Sequence, residues 1–87
     1  GHTVHVGDTE SYLALYAPPK EIQNAEESYY RAGGLNHIGI VVADLDTVEA
    51  RVKAAGFVPG NHADYEPGTR FYFEGPDAVE YEVISYA

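Results

Sequence analysis

Leu35-Asn36-His37-Ile38-Gly39-Ile40-Val41-Val42-Ala43-Asp44-Leu45-Asp46 changes its hydrophobic period part-way along, and that change decides how the whole chain is read. Up to Val42 the residues are β-branched and alternate. Ile38, Ile40 and Val42 fall on one face and Leu35, His37, Gly39 and Val41 on the other, which is the pattern of a strand. Beyond Asp44 the apolar positions Leu45, Val48, Val52 and Ala55 recur at helical spacing as far as Gly56, a natural C-terminal stop. Asp44 or Asp46 caps this helix, Asp46 with Glu49 three residues on forming a capping box.

Downstream, Phe57-Val58 begins a short irregular strand that Pro59-Gly60 breaks and Ala63 to Tyr65 resumes, and Pro67-Gly68 makes a turn. Thr69 to Glu74 and Val79 to Tyr86 alternate strictly about Gly75-Pro76-Asp77 and read as a hairpin. Upstream, Thr3 to Tyr16 gives two alternating runs about Gly7-Asp8, a second hairpin. Pro18-Pro19 ends it. The polar, acidic stretch that follows closes on Ala32-Gly33-Gly34 and is long for a connection, so it crosses between two substructures, with a single helical turn near Ala25 to Tyr30. The expected organisation is a hairpin over residues 1–17, a linker over 18–34 and a β-α-β-β-β unit over 35–87, together one α+β domain.

A helix covers one side of a sheet and requires the apolar residues there. Ile38, Ile40, Val42, Phe71, Phe73, Val79, Tyr81 and Val83 form that set. His37, Arg70, Tyr72, Glu80, Glu82, Ile84 and Tyr86 are left on the uncovered side, whose mixture of His, Glu, Arg and Tyr marks a candidate site. The first hairpin divides likewise, Val4, Val6, Leu13 and Leu15 against Thr3, His5, Tyr12 and Tyr16.

Composition bounds the function. Five Lys plus Arg against fourteen Asp plus Glu in 87 residues give a formal charge of −9, which is no footprint for nucleic acid or an anionic membrane. No apolar run approaches the roughly 20 residues that span a bilayer and no signal segment opens the chain, so the expected compartment is the cytoplasm. The chain has no cysteine, which excludes disulfides and thiolate metal sites, and the core of so short a chain is expected to be thin. It also lacks methionine, and Gly1-His2 reads as a scar of tag removal, which discounts His2 as a ligand.

The stretch from Leu35 to Asp46, the helix end Ala54-Ala55-Gly56-Phe57, and Arg70-Phe71-Tyr72-Phe73-Glu74-Gly75-Pro76-Asp77-Ala78-Val79-Glu80-Tyr81-Glu82-Val83 together resemble the vicinal oxygen chelate superfamily, the glyoxalase, bleomycin-resistance and extradiol dioxygenase group. The resemblance covers Leu35 to Tyr86 as one βαβββ module. It implies paired modules around a small-molecule cavity, with a divalent metal held by a first-strand His and a last-strand Glu. His37 and Glu82 match those two positions. The chain departs from the pattern before the linker, where only a terminal hairpin of a first module is present, and Tyr12 stands where a carboxylate would align. A descendant that completes its sheet as a homodimer is therefore expected.

Each candidate has a plain structural alternative. His37 and Glu82 suit zinc, iron, manganese or nickel, with His5 as a further ligand and Glu80 as a proton-moving catalytic carboxylate, or they form an ordinary His-Glu pair. Arg70 is a clamp for a ligand carboxylate or phosphate, or a partner for Glu80 or Glu82. Tyr12, Tyr72 and Tyr86 line an aromatic ligand site, or an interface between chains. His62 lies in an exposed loop, as a weak lid residue. Covalent catalysis has no nucleophile with a nearby base. The expected function is small-molecule binding; the alternative is a metal-dependent lyase, isomerase or dioxygenase acting through His37 and Glu82.

Overall fold

The computed structural model describes residues 1–23, 26–65 and 68–87, with Asp77 described by its backbone alone. Both hairpins form. In the first, β1 (His2–Gly7) pairs antiparallel with β2 (Tyr12–Ala17), in a register running from His2 opposite Ala17 to Gly7 opposite Tyr12. Asp8 closes the turn, its Oδ1 accepting from the backbone N–H groups of Glu10 (2.8 Å) and Ser11 (2.9 Å). Gly7, at φ 149°, is required there because a Cβ would run into the Ser11 carbonyl. Every residue of this two-stranded sheet is exposed.

Among its described residues the linker contains one 3-10 turn, Ser28–Tyr30. It lies within the stretch where a helical turn is expected, although Ala25 falls outside the described residues. The second sheet has four strands, β3 (His37–Val41), β4 (Gly60–Tyr65), β5 (Gly68–Glu74) and β6 (Glu80–Ser85), in the order β3-β6-β5-β4. β3 runs parallel to β6 and the other pairs are antiparallel. The molecule is thus α+β, with six strands in two sheets and one helix among the described residues. That helix, α1 (Leu45–Ala54), makes the crossover from β3 to β4 and packs on β5 and β6. Beneath it Phe71 is fully buried and Val83 is 2% exposed, so the core is as thin as the length implies. The helix is not long and apolar enough to cross a membrane.

Two details differ from the sequence reading. Asp44 is the cap: Oδ1 accepts from the Thr47 backbone N–H (3.2 Å) and Oδ2 from the Thr47 hydroxyl (2.7 Å), while Glu49 turns away to His62 and Lys53 and makes no capping box. Phe57-Val58 is not strand. β4 begins at Gly60, because Pro59 offers no N–H to a ladder and Asn61, at φ 51°, shifts the register between Gly60 and Ala63. Phe57 instead packs its ring 5.9 Å from that of Phe73. The Pro67-Gly68 turn falls partly outside the described residues, and Gly68 opens β5.

Candidate functional site

Strand register decides which side chains meet. His37 lies opposite Glu80, Gly39 and Tyr72 opposite Glu82, and Arg70 opposite Ile84. All of these share the face turned away from α1, as the alternation predicts. Tyr86 follows the last residue of β6 and is 57% exposed.

A row of three polar side chains, His37, Glu82 and Arg70, crosses that face. Arg70 Nη1 donates to Glu82 Oε2 at 2.7 Å, and the other carboxylate oxygen, Oε1, lies 3.4 Å from His37 Nε2. Arg70 is 8% exposed, and its Nε and Nη2 are buried without a hydrogen-bond partner among the described residues. The ring of Tyr65 covers its guanidinium at 4.4 Å. Burial, the largest single influence, works against the charge on Arg70, but its hydrogen bond to Glu82 together with the charges of Tyr65 and Glu82 outweighs it and holds the guanidinium above its ordinary value. Tyr72, edge-on to the His37 ring at 6.1 Å, is raised first by burial and then by the charge of Glu82.

Asn36 orients the histidine. Its amide nitrogen donates to Ser28 Oγ at 3.1 Å, which turns its oxygen toward His37 Nδ1 at 2.6 Å. A separation that short belongs to an N–H···O bond, so Nδ1 carries a proton. Nε2 is then the ring atom that faces Glu82 Oε1, where a proton or a metal ion between the two satisfies both.

Glu80, the candidate proton carrier, accepts a hydrogen bond from Tyr29 Oη at 2.8 Å, and this bond raises Tyr29. Both line a cleft of about 250 Å³ with Glu27, Ser28, Asn36, Glu74 and Ala78. His37, Glu82 and Arg70 do not line this cleft.

The other candidates lie elsewhere. His5 and Tyr12 stack on each other, ring centroids 4.2 Å apart, on the hairpin's own sheet. The structure does not bring His5 to His37 and Glu82, and no group of three His, Asp or Glu able to hold a metal occurs among the described residues. His62 lies within β4 rather than in a loop, on the opposite side of the sheet from His37. Its Nε2 lies 3.0 Å from both carboxylate oxygens of Glu49 on α1, and its ring is 6.0 Å from that of Phe71. The bulge in β4 is what turns it toward the helix.

Sequence reasoning passed over Asn36, Tyr65 and Tyr29. Tyr65 was legible from its alternation with Ala63, and Asn36 from its place beside His37. Tyr29, fifty-one residues from Glu80, left no local signal. No protein-family model, curated protein or solved structure matches this chain.

Proposed function

We propose that this chain is a small-molecule-binding protein of the glyoxalase and bleomycin-resistance type. The uncovered face of its four-stranded sheet is the floor of the ligand site, and a second copy of the chain supplies the opposite wall. The observation that carries the reading is the row His37-Glu82-Arg70, in which the Glu82-Arg70 ion pair is largely covered, on a sheet face bordered by Tyr65, Tyr72 and Tyr86. Charged groups held this way among aromatic rings give a ligand both orientation and apolar contact. The test is titration of purified protein with small aromatic acids and amines, followed by tyrosine fluorescence. Binding that weakens at least about tenfold in Tyr72→Leu, with the fold intact, is the expected result. Affinity unchanged in Tyr72→Leu and Tyr65→Leu would remove the sheet face as the site.

A metal-dependent lyase, isomerase or dioxygenase is the second reading, favoured by the 3.4 Å approach of His37 Nε2 to Glu82 Oε1. Those two atoms fit a divalent cation, which His37 and Glu82 would hold with the remaining positions left to water, substrate or a second chain. When bound, such an ion acts as a Lewis acid on vicinal oxygens of a substrate. In that reading Arg70 fixes the Glu82 carboxylate, Asn36 fixes the imidazole, and Glu80 is the carboxylate available to move a proton. Metal content and affinity of the native chain, His37→Ala and Glu82→Ala decide it: stoichiometric metal lost in both folded variants supports the enzyme, and no metal in the native chain overturns it.

A further inference from the structure

The two edges of the four-stranded sheet are built differently. At one edge, β4 is guarded by Pro59 before it, a register shift between Gly60 and Ala63, and Asp64 within it. These are the ordinary devices by which an exposed strand avoids pairing with another chain. The other edge, β3, has none of them. His-Ile-Gly-Ile-Val contains no proline, no bulge and none of the chain's fourteen carboxylates, yet Val41 is 63% and Ile40 42% exposed.

The direction of its backbone groups follows from the ladder. Val42 N–H donates to the Ile84 carbonyl at 2.8 Å, so by alternation Ile38 and Ile40 also turn their amides to β6. His37, Gly39 and Val41 turn theirs outward, to no strand among the described residues.

Gly39, at the centre of this row, is not required by its own chain. Its φ is not positive, and a Cβ there would meet only Glu82 Oε1, at 3.9 Å, an ordinary contact. A mid-strand glycine weakens a sheet and signals close approach of another group. The strand is also close to palindromic about it, Ile38 and Ile40 flanking Gly39.

We infer that β3 is the contact between two copies of this chain, pairing antiparallel with its counterpart about a two-fold axis through Gly39. The inference rests on the two-chain site proposed above and specifies how its chains join. The outward groups are then in phase: Gly39 exchanges both backbone hydrogen bonds with the partner's Gly39, and His37 does so with the partner's Val41. Ile38 lies against the partner's Ile40 on the helix side, which makes one apolar band of two. No carboxylate meets another at the seam, which is what two copies of so acidic a chain require. On the other face the paired glycines leave a gap between the two His37-Glu82 pairs, so both sites open on a shared trough. A hairpin strand on this edge would set a side chain opposite Gly39 and leave the glycine without a role.

Crosslinking tests the register directly, because the chain has no cysteine of its own. Opposed hydrogen-bonded residues have Cα atoms about 5.5 Å apart, within the span of a disulfide. Gly39→Cys is therefore expected to yield a disulfide-linked pair under mild oxidation, and Ala14→Cys, in mid-β2, to remain single. A mixed disulfide between the two variants would overturn the proposal in favour of the hairpin.

Val41→Pro removes only an outward N–H from each copy. It is expected to keep the native far-ultraviolet circular dichroism and to weaken the dimer, by sedimentation, roughly ten- to thirty-fold. If that variant does not fold, the Gly39→Cys result stands alone. A dimer of full affinity in Val41→Pro with no Gly39 crosslink overturns the β3 seam and leaves the two-chain site standing. A native chain that sediments as a monomer overturns both.

Discussion

Arg70 and Glu82 stand diagonally across β5 and β6, joined by a 2.7 Å hydrogen bond with their side chains 9% and 14% exposed. Glu82 is thereby held from both sides, by Arg70 at one oxygen and His37 at the other, while Arg70 keeps two buried donors with no partner among the described residues. Desolvating such a pair offsets much of its attraction, and removing one member leaves the other covered and uncompensated. The pair therefore serves geometry more than stability.

Chemical denaturation of three variants checks this. Arg70→Met and Glu82→Leu each lower the unfolding midpoint, and the double variant recovers most of the loss. Losses that simply add in the double variant would show that the two side chains act independently.

On the opposite side of the sheet, the hydrogen bond from His62 holds the Glu49 carboxyl below its ordinary 4.5, burial opposing it and Lys53 adding to it. A lowered carboxyl contributes stability that is complete above 4.5 and is lost as pH falls through the lower folded value. Asp44 behaves in the same way about 3.8, through its bonds to Thr47. Glu49→Gln is expected to be less stable than the native chain near neutral pH and to converge with it in acid. A stability gap that persists unchanged below pH 4 would mean that His62 and Glu49 pack together without an electrostatic contribution.

Much of this architecture could be read from residue order. Strict alternation in β3, β5 and β6 assigned each residue to a face, and register then brought His37, Glu82, Arg70 and Tyr72 to the same side. Short-range rules were less secure where two answers competed. Asp44 and Asp46 are both competent caps, and the Thr47 hydroxyl decided for Asp44. His62 was out of reach because its direction depends on a bulge, and a one-residue shift turns a side chain to the other face. Tyr29 and Asn36 act across the linker, where no periodicity exists to read.

The thin core concentrates the stability of the module on few side chains. Phe71 is completely buried between α1, His62 and Phe73. Phe71→Ala is expected to cost about 3–5 kcal/mol, from lost burial and the cavity left behind, against an exposed control such as Val58→Ala within about 0.5 kcal/mol. Urea unfolding gives both values. A loss under about 1 kcal/mol at Phe71 would mean that helix and sheet are held together by other contacts.

The uncovered face predicts an alkaline limit as well. Burial, then the neighbouring Glu82, raises Tyr72 above 10.0, and the hydrogen bond to Glu80 raises Tyr29. A phenol raised on folding is favoured in its neutral form, so its contribution is complete below 10.0 and is lost as pH climbs through the folded value. Tyrosinate absorbance should show Tyr29 and Tyr72 titrating late in the native chain. Because the two have different causes, they can be separated. Glu80→Gln returns Tyr29 toward the ordinary range and leaves Tyr72 late, whereas Glu82→Gln brings Tyr72 down and leaves Tyr29 late. If one substitution moves both, the two tyrosines sense a single field across the face, and the division between the Glu80 cleft and the His37-Glu82-Arg70 row disappears.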